Sequence, residues 1–210
     1  MFRNRTEAGQ RLGELLARFA VHRPVVLALP RGGVPVGREV ADALDAPLDV
    51  LLVRKLGVPR QPELAMGAIG EGGVRVLNDE VIRAVGVPER DLAKVEARET
   101  EELERRVHMF RGDRPQIEVD GRVVVVVDDG LATGATAQAA LRVARARGAR
   151  TLVLAVPVAP PDTLAHLAAD ADEIVAAEVH QPFGSIGDWY RDFRQTTDEQ
   201  VLSALDPAAP

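Results

Sequence analysis

The stretch "RVVVVVDDGLATGATAQAALRVARARGA", residues 122–149, decides the fold. Val123 to Val127 are β-branched throughout, and a strand apolar at every position has neither face in water, as in a sheet covered by helices on both sides. The "DDG" that follows therefore lies where the sheet ends. From Ala135 the residues are good helix formers, and Gly148 stands where the helix should stop. The element reads strand, short loop, helix, and in open parallel sheets ligands sit at the carboxyl ends of such strands.

Working outward, apolar runs at "VVLAL" (25–29), "DVLLVR" (49–54), "TLVLAV" (151–156) and "EIVAA" (173–177) join 123–127 as five candidate strands of a parallel sheet with helical connections, an α/β class. Helices are expected at "TEAGQRLGELLARFA" (6–20) and near "VGREVADAL" (36–44). Residues 55–110 interrupt the pattern. Their first half, rich in Gly and Pro, predicts a mobile loop running into a β-hairpin at "GEGG", and their second half, "PERDLAKVEARETEELERRVHMF", predicts one long helix. Its Glu101–Arg105 and Glu102–Arg106 spacings suggest a solvated face, with an oligomer contact in a homodimer as the alternative. The expected organisation is a core over 1–180 that includes this insertion, then a segment over 181–210 with a terminal helix capped by Thr197 and Gln200, and a short "DPAAP" tail.

The loop chemistry follows residue by residue. Gly130 and Gly134 let backbone N–H groups turn inward around an anion, Thr133 and Thr136 add hydroxyls, and the next helix presents its N-terminal N–H groups to the same spot. A phosphate suits that combination. Asp128 and Asp129 would repel it, so they face another part of the ligand, such as ribose hydroxyls, or an accompanying metal.

On these residues, "VVVVVDDGLATGAT" resembles the phosphoribosyl pyrophosphate (PRPP) motif of the type I phosphoribosyltransferases. The resemblance implies that family's fold, a five-stranded parallel sheet flanked by helices with a small hood. It implies that Asp128 and Asp129 hold the ribose hydroxyls while Gly130, Leu131, Ala132, Thr133, Gly134, Ala135 and Thr136 cradle the 5-phosphate. The loop "PRGG" resembles the family's pyrophosphate loop and supplies Arg31, Gly32 and Gly33. "VRKLGVPRQPE" resembles the approach to the flexible catalytic loop of adenine-type members, adding Arg54 and Lys55 to the pyrophosphate set, with Arg60 a further candidate cation. Arg31, Lys55, Asp128 and Asp129 are the implied catalytic residues. The family uses Mg²⁺ held mainly by substrate oxygens and water, so no direct protein ligand is named.

Alanine at 132 and 135, where hypoxanthine-guanine enzymes carry aspartate and lysine, argues against a 6-oxopurine handled from this loop. Glu63 and Glu71 are candidate acids or bases. The hood is expected to draw on "VHQPFGSIGDWYRDF" (179–193), where Trp189 or Tyr190 would stack on a planar acceptor, an aromatic mini-core being the alternative.

The expected activity is Mg²⁺-dependent transfer of phosphoribose from PRPP to a nitrogen acceptor such as a nucleobase. The alternative is a sensor that binds PRPP or a nucleotide without catalysis, and retention of Arg31, Arg54 and Lys55 favours the enzyme. Other classes fail on residues. Gly130 to Gly134 is one residue short of a P-loop and Ala135 replaces its lysine, while Gly32, Gly33 and Gly37 lack dinucleotide-motif spacing. "FGSIG" lacks the first glycine of a hydrolase elbow, and every histidine precedes Ser185. There are no cysteines, the four histidines are scattered, and a net charge of −6 does not suit non-specific nucleic-acid binding. With no apolar leader or membrane-length stretch in sight, a cytoplasmic location is expected.

Overall fold

The computed structural model describes residues 1–206, so the expected "DPAAP" tail lies outside the described residues from Pro207 onward. Asn4 caps α1 (Arg5–Leu16), its side chain accepting the Glu7 N–H at 3.0 Å. A 3₁₀ turn leads to β1 (Val25–Ala28), α2 (Gly33–Leu44) and β2 (Leu48–Val50). The insertion comprises β3 (Val53–Val58), β4 (Gln61–Gly70), β5 (Val74–Leu77), α3 (Asp79–Val85) and α4 (Glu89–Phe110). Then come β6 (Val123–Val127), α5 (Ala135–Ala146), β7 (Thr151–Ala159), α6 (Pro161–Leu167), β8 (Glu173–Val179) and α7 (Asp198–Leu205).

Five strands form a parallel sheet in the order β2-β1-β6-β7-β8. The valines of β6 explain why. Val124 and Val126 pack with Ala140, Leu141 and Val143 of α5, while Val123, Val125 and Val127 pack with Leu12 and Leu16 of α1 and Val36 and Val40 of α2. Side chains alternate along a strand, so an unbroken apolar run satisfies both layers at once. All five are buried, each contributing about 1.5–3 kcal/mol relative to exposure.

Strand order reverses between β1, which leads to β2 on one side, and β6, which leads to β7 on the other. The following helices leave on opposite faces, so the loops after β1 and β6 lie side by side at the carboxyl edge and bound a crevice.

Two expectations need correction. The run 49–54 is not one strand: β2 ends at Val50, and β3 starts at Val53 in a separate antiparallel sheet of order β3-β4-β5. The expected loop after Lys55 is β-structure, because Leu56, Val58, Met66 and Ile69 bury against Leu92, Leu103 and Phe110 around the long helix. The hairpin at 71–73 and that helix stand where they were expected. On α4, Glu102 pairs with both Arg105 and Arg106.

Candidate functional site

The loops after β1 and β6 are in intimate contact. A Cβ added to Gly32 would lie 1.9 Å from Asp129 Oδ2, and one on Gly33 would lie 2.7 Å from the Val127 carbonyl oxygen. Glycine at 32 therefore leaves the space that the Asp129 carboxylate fills. The peptide between Pro30 and Arg31 is cis.

Asp129 is buried and Asp128 half-buried. The Asp129 N–H donates to Asp128 Oδ1 at 2.9 Å. Arg5, at the start of α1, places Nε 2.8 Å and Nη2 2.7 Å from Asp129 Oδ2. The Tyr190 hydroxyl donates to the Asp129 carbonyl at 2.7 Å. Each carboxylate thus has one oxygen held by a neighbour and one, Asp128 Oδ2 and Asp129 Oδ1, to which no other residue among those described donates a hydrogen bond. Burial raises the Asp128 pKa well above the ordinary carboxylate value, and the neighbouring Asp129 charge raises it further. Burial also raises that of Asp129, against the opposing charge of Arg5. Burial and the Asp129 charge push the Tyr190 phenol up, which keeps it a donor.

Downstream, Gly134 adopts a left-handed φ of 73° and α5 begins with no side-chain cap. The first N–H groups of that helix lack intrahelical partners and point to the loop. Thr133 and Thr136 are exposed beside them, whereas Leu131 is buried. Thr163 of α6 fixes the loop from behind, its hydroxyl donating to the Ala132 carbonyl at 2.6 Å.

The expected cations are dispersed. Arg31 reaches Asp198 at 3.3 Å, beside a cavity of about 300 Å³ that Gln195, Thr196 and Thr197 also line. Arg54 and Lys55 are adjacent on β3 and so face opposite sides of it. Arg54 Nε bonds Glu99 of α4 at 2.8 Å, and Lys55 Nζ lies 3.3 Å from Glu63. Arg60 sits exposed in the turn before β4. Glu71 is enclosed with Arg111 and is not poised as an acid or base at the crevice.

The aromatic segment is a mini-core. Tyr190 is buried with Phe2, Ala8 and Val158, so its ring is not open to an acceptor. His180 stacks on Trp189 at 3.6 Å and 8°, taking one face of the indole. Ser185 caps a short 3₁₀ turn with Asp188. Sequence reading missed Arg5 and Thr163. Neither carries a local signal, since Arg5 meets its carboxylate 124 residues away.

The profile of the phosphoribosyl transferase domain family matches residues 6–185. Two Mycobacterium tuberculosis proteins, of strains H37Rv and CDC 1551, that carry a provisional phosphoribosyl transferase name are each 53% identical over 208 residues, 99% of this chain and 47% of theirs. The chain spans about half the length of these curated relatives. The crystal structure of TT1426 from Thermus thermophilus superposes with a TM-score of 0.92 at 47% identity, covering 98% of this chain and 97% of that one.

Proposed function

Since the chain belongs to the phosphoribosyl transferase domain family, we propose that it transfers phosphoribose from PRPP to a nitrogen acceptor of nucleobase type, in nucleotide metabolism, releasing pyrophosphate. The observation that carries this reading is the pair of uncommitted carboxylate oxygens, Asp128 Oδ2 and Asp129 Oδ1, beside a capless helix start. Two acceptors on adjacent residues suit a vicinal diol, and free N–H groups suit its phosphate.

In this reading residues 130–136 hold the 5-phosphate, Asp128 and Asp129 accept the ribose hydroxyls, and the loop of Arg31, Gly32 and Gly33, packed against Asp128 and Asp129, binds the pyrophosphate. The acceptor nitrogen bonds to the anomeric carbon as the bond to pyrophosphate breaks. Arg31 exchanges Asp198 for the leaving group, where charge develops. Mg²⁺ would be carried by substrate oxygens and water, oriented by the Asp128 and Asp129 carboxylates, and would neutralise the departing pyrophosphate. The acceptor would enter from the cavity beside Gln195, Thr196 and Thr197, and be read by hydrogen bonds rather than by Tyr190. A homodimer belongs to the same proposal and is checked by solution mass.

A second reading, a non-catalytic PRPP or nucleotide sensor, draws on one observation: Arg31, Arg54 and Lys55 are all engaged by carboxylates of the chain itself. ³¹P NMR with Mg²⁺, PRPP and a panel of bases separates the two. Transfer yields pyrophosphate and a new monophosphate resonance that depends on one base. Broadened but intact PRPP supports the sensor, and unchanged spectra reject both.

A further inference from the structure

The N-terminal residues pair alongside the aromatic segment: the Phe2 N–H donates to the Trp189 carbonyl at 2.8 Å, and the Arg191 N–H to the Phe2 carbonyl at 2.9 Å. This pairing delivers Arg5 to Asp129. The guanidinium lies 4.0 Å from the centroid of the Phe193 ring, gives a third hydrogen bond to the Arg194 carbonyl at 2.8 Å, and is largely buried. It is held from three directions and spends both of its contacts to Asp129 on Oδ2 alone.

We infer that Arg5 is a positioning residue for sugar recognition: by gripping Asp129 Oδ2 it aims Oδ1, with Asp128 Oδ2, at the two ribose hydroxyls. Three observations point the same way. The grip leaves Oδ1 uncommitted instead of bridging both oxygens. The carboxylate occupies the space that a side chain at Gly32 would need, closest at the same Oδ2, so Arg5 and the loop after β1 both confine that oxygen. Arg5 is also the cation that meets the aspartate pair, the other facing groups being the Tyr190 hydroxyl and the two carboxylates themselves. Two adjacent carboxylates in a buried crevice hold both charges only with such compensation, and hydrogen bonds from a diol are strongest to ionised acceptors.

The inference rests on the proposed sugar-phosphate site, and its test separates the two. Ribose 5-phosphate, 2-deoxyribose 5-phosphate and inorganic phosphate are titrated into the full chain and into Arg5→Met and Arg5→Lys by calorimetry, with circular dichroism on each. The unaltered protein should prefer ribose 5-phosphate over its deoxy analogue by about tenfold, as expected for one hydrogen bond to a charged group. In Arg5→Met that preference should collapse toward unity while affinity for inorganic phosphate holds, and Arg5→Lys should restore part of it. A merely structural arginine would weaken all three ligands alike. Full retention of the preference in Arg5→Met overturns the role of Arg5 alone. Absence of any preference in the unaltered protein overturns the diol site with it.

Discussion

Asp128 sets binding against stability at a single residue. Its folded-state pKa is raised by burial and by Asp129, so the ionised form costs stability at neutral pH, and the cost fades as pH falls through that raised value. Asp128→Asn keeps an oxygen for the Asp129 N–H and removes the charge. It should raise the melting temperature at pH 7, by about 2–4 °C per kcal/mol relieved, while weakening Mg-PRPP binding by about 1.5–3 kcal/mol. Thermal scans and calorimetry on one sample check both, and unchanged PRPP affinity would remove Asp128 from the site. Gly32 makes the companion case, since the Cβ of Gly32→Ala would collide with Asp129 Oδ2. The variant should fold, lose PRPP affinity at least tenfold by the loss of one charged hydrogen bond, and show the loss in the same titration. Asp128, Asp129 and Gly32 were all legible as candidates because their chemistry is written in adjacent residues.

At the scale of elements, the phosphate loop owes its shape to α6 as much as to α5. The Thr163 hydroxyl holds the Ala132 carbonyl, and its methyl occupies the space beside Gly134. Thr163→Val keeps the bulk and removes the donor, so binding of inorganic phosphate should fall by about 0.5–1.5 kcal/mol, while Thr163→Ser should recover it in part. Equal affinity in all three proteins would mean that the loop holds itself. Legibility is uneven at this scale. The helix at 79–85 was missed although "NDEVIRAVG" carries an Asn cap, acids in the first turn and a closing Gly86. The Gly/Pro-rich run 55–70 read as a loop because its strand character comes from apolar residues that meet α4, an element distant in sequence.

Over the whole molecule, a buried ionic cluster ties the insertion to the parallel sheet. Arg111, at the end of α4, lies 3.0 Å from both Asp49 oxygens, donates to the Val50 carbonyl at 3.1 Å, and pairs with Glu71 at the tip of the β4–β5 hairpin. Asp49 also accepts the Ile117 N–H at 3.1 Å. Asp49→Ala should cost about 3–5 kcal/mol, because it leaves buried donors without partners. Urea denaturation measures it, and a loss below about 1 kcal/mol would mean that the insertion is held by its apolar contacts alone.

The sequence by itself determined that five strands form a parallel sheet, though it ran the second into β3, and it determined the helices at 36–44 and 88–110 and the two loops that meet at the crevice. Burial patterns, helix ends and glycine turns depend on neighbours within a few positions, so one chain displays them. Only the tertiary structure decided which charges meet. It gave Arg54 to Glu99 of α4, joined the Tyr190 hydroxyl to the Asp129 carbonyl, and brought Arg5 from the first helix to a carboxylate 124 residues away. Such pairings follow from how helices and loops pack across the sheet, which no local pattern of residue types encodes.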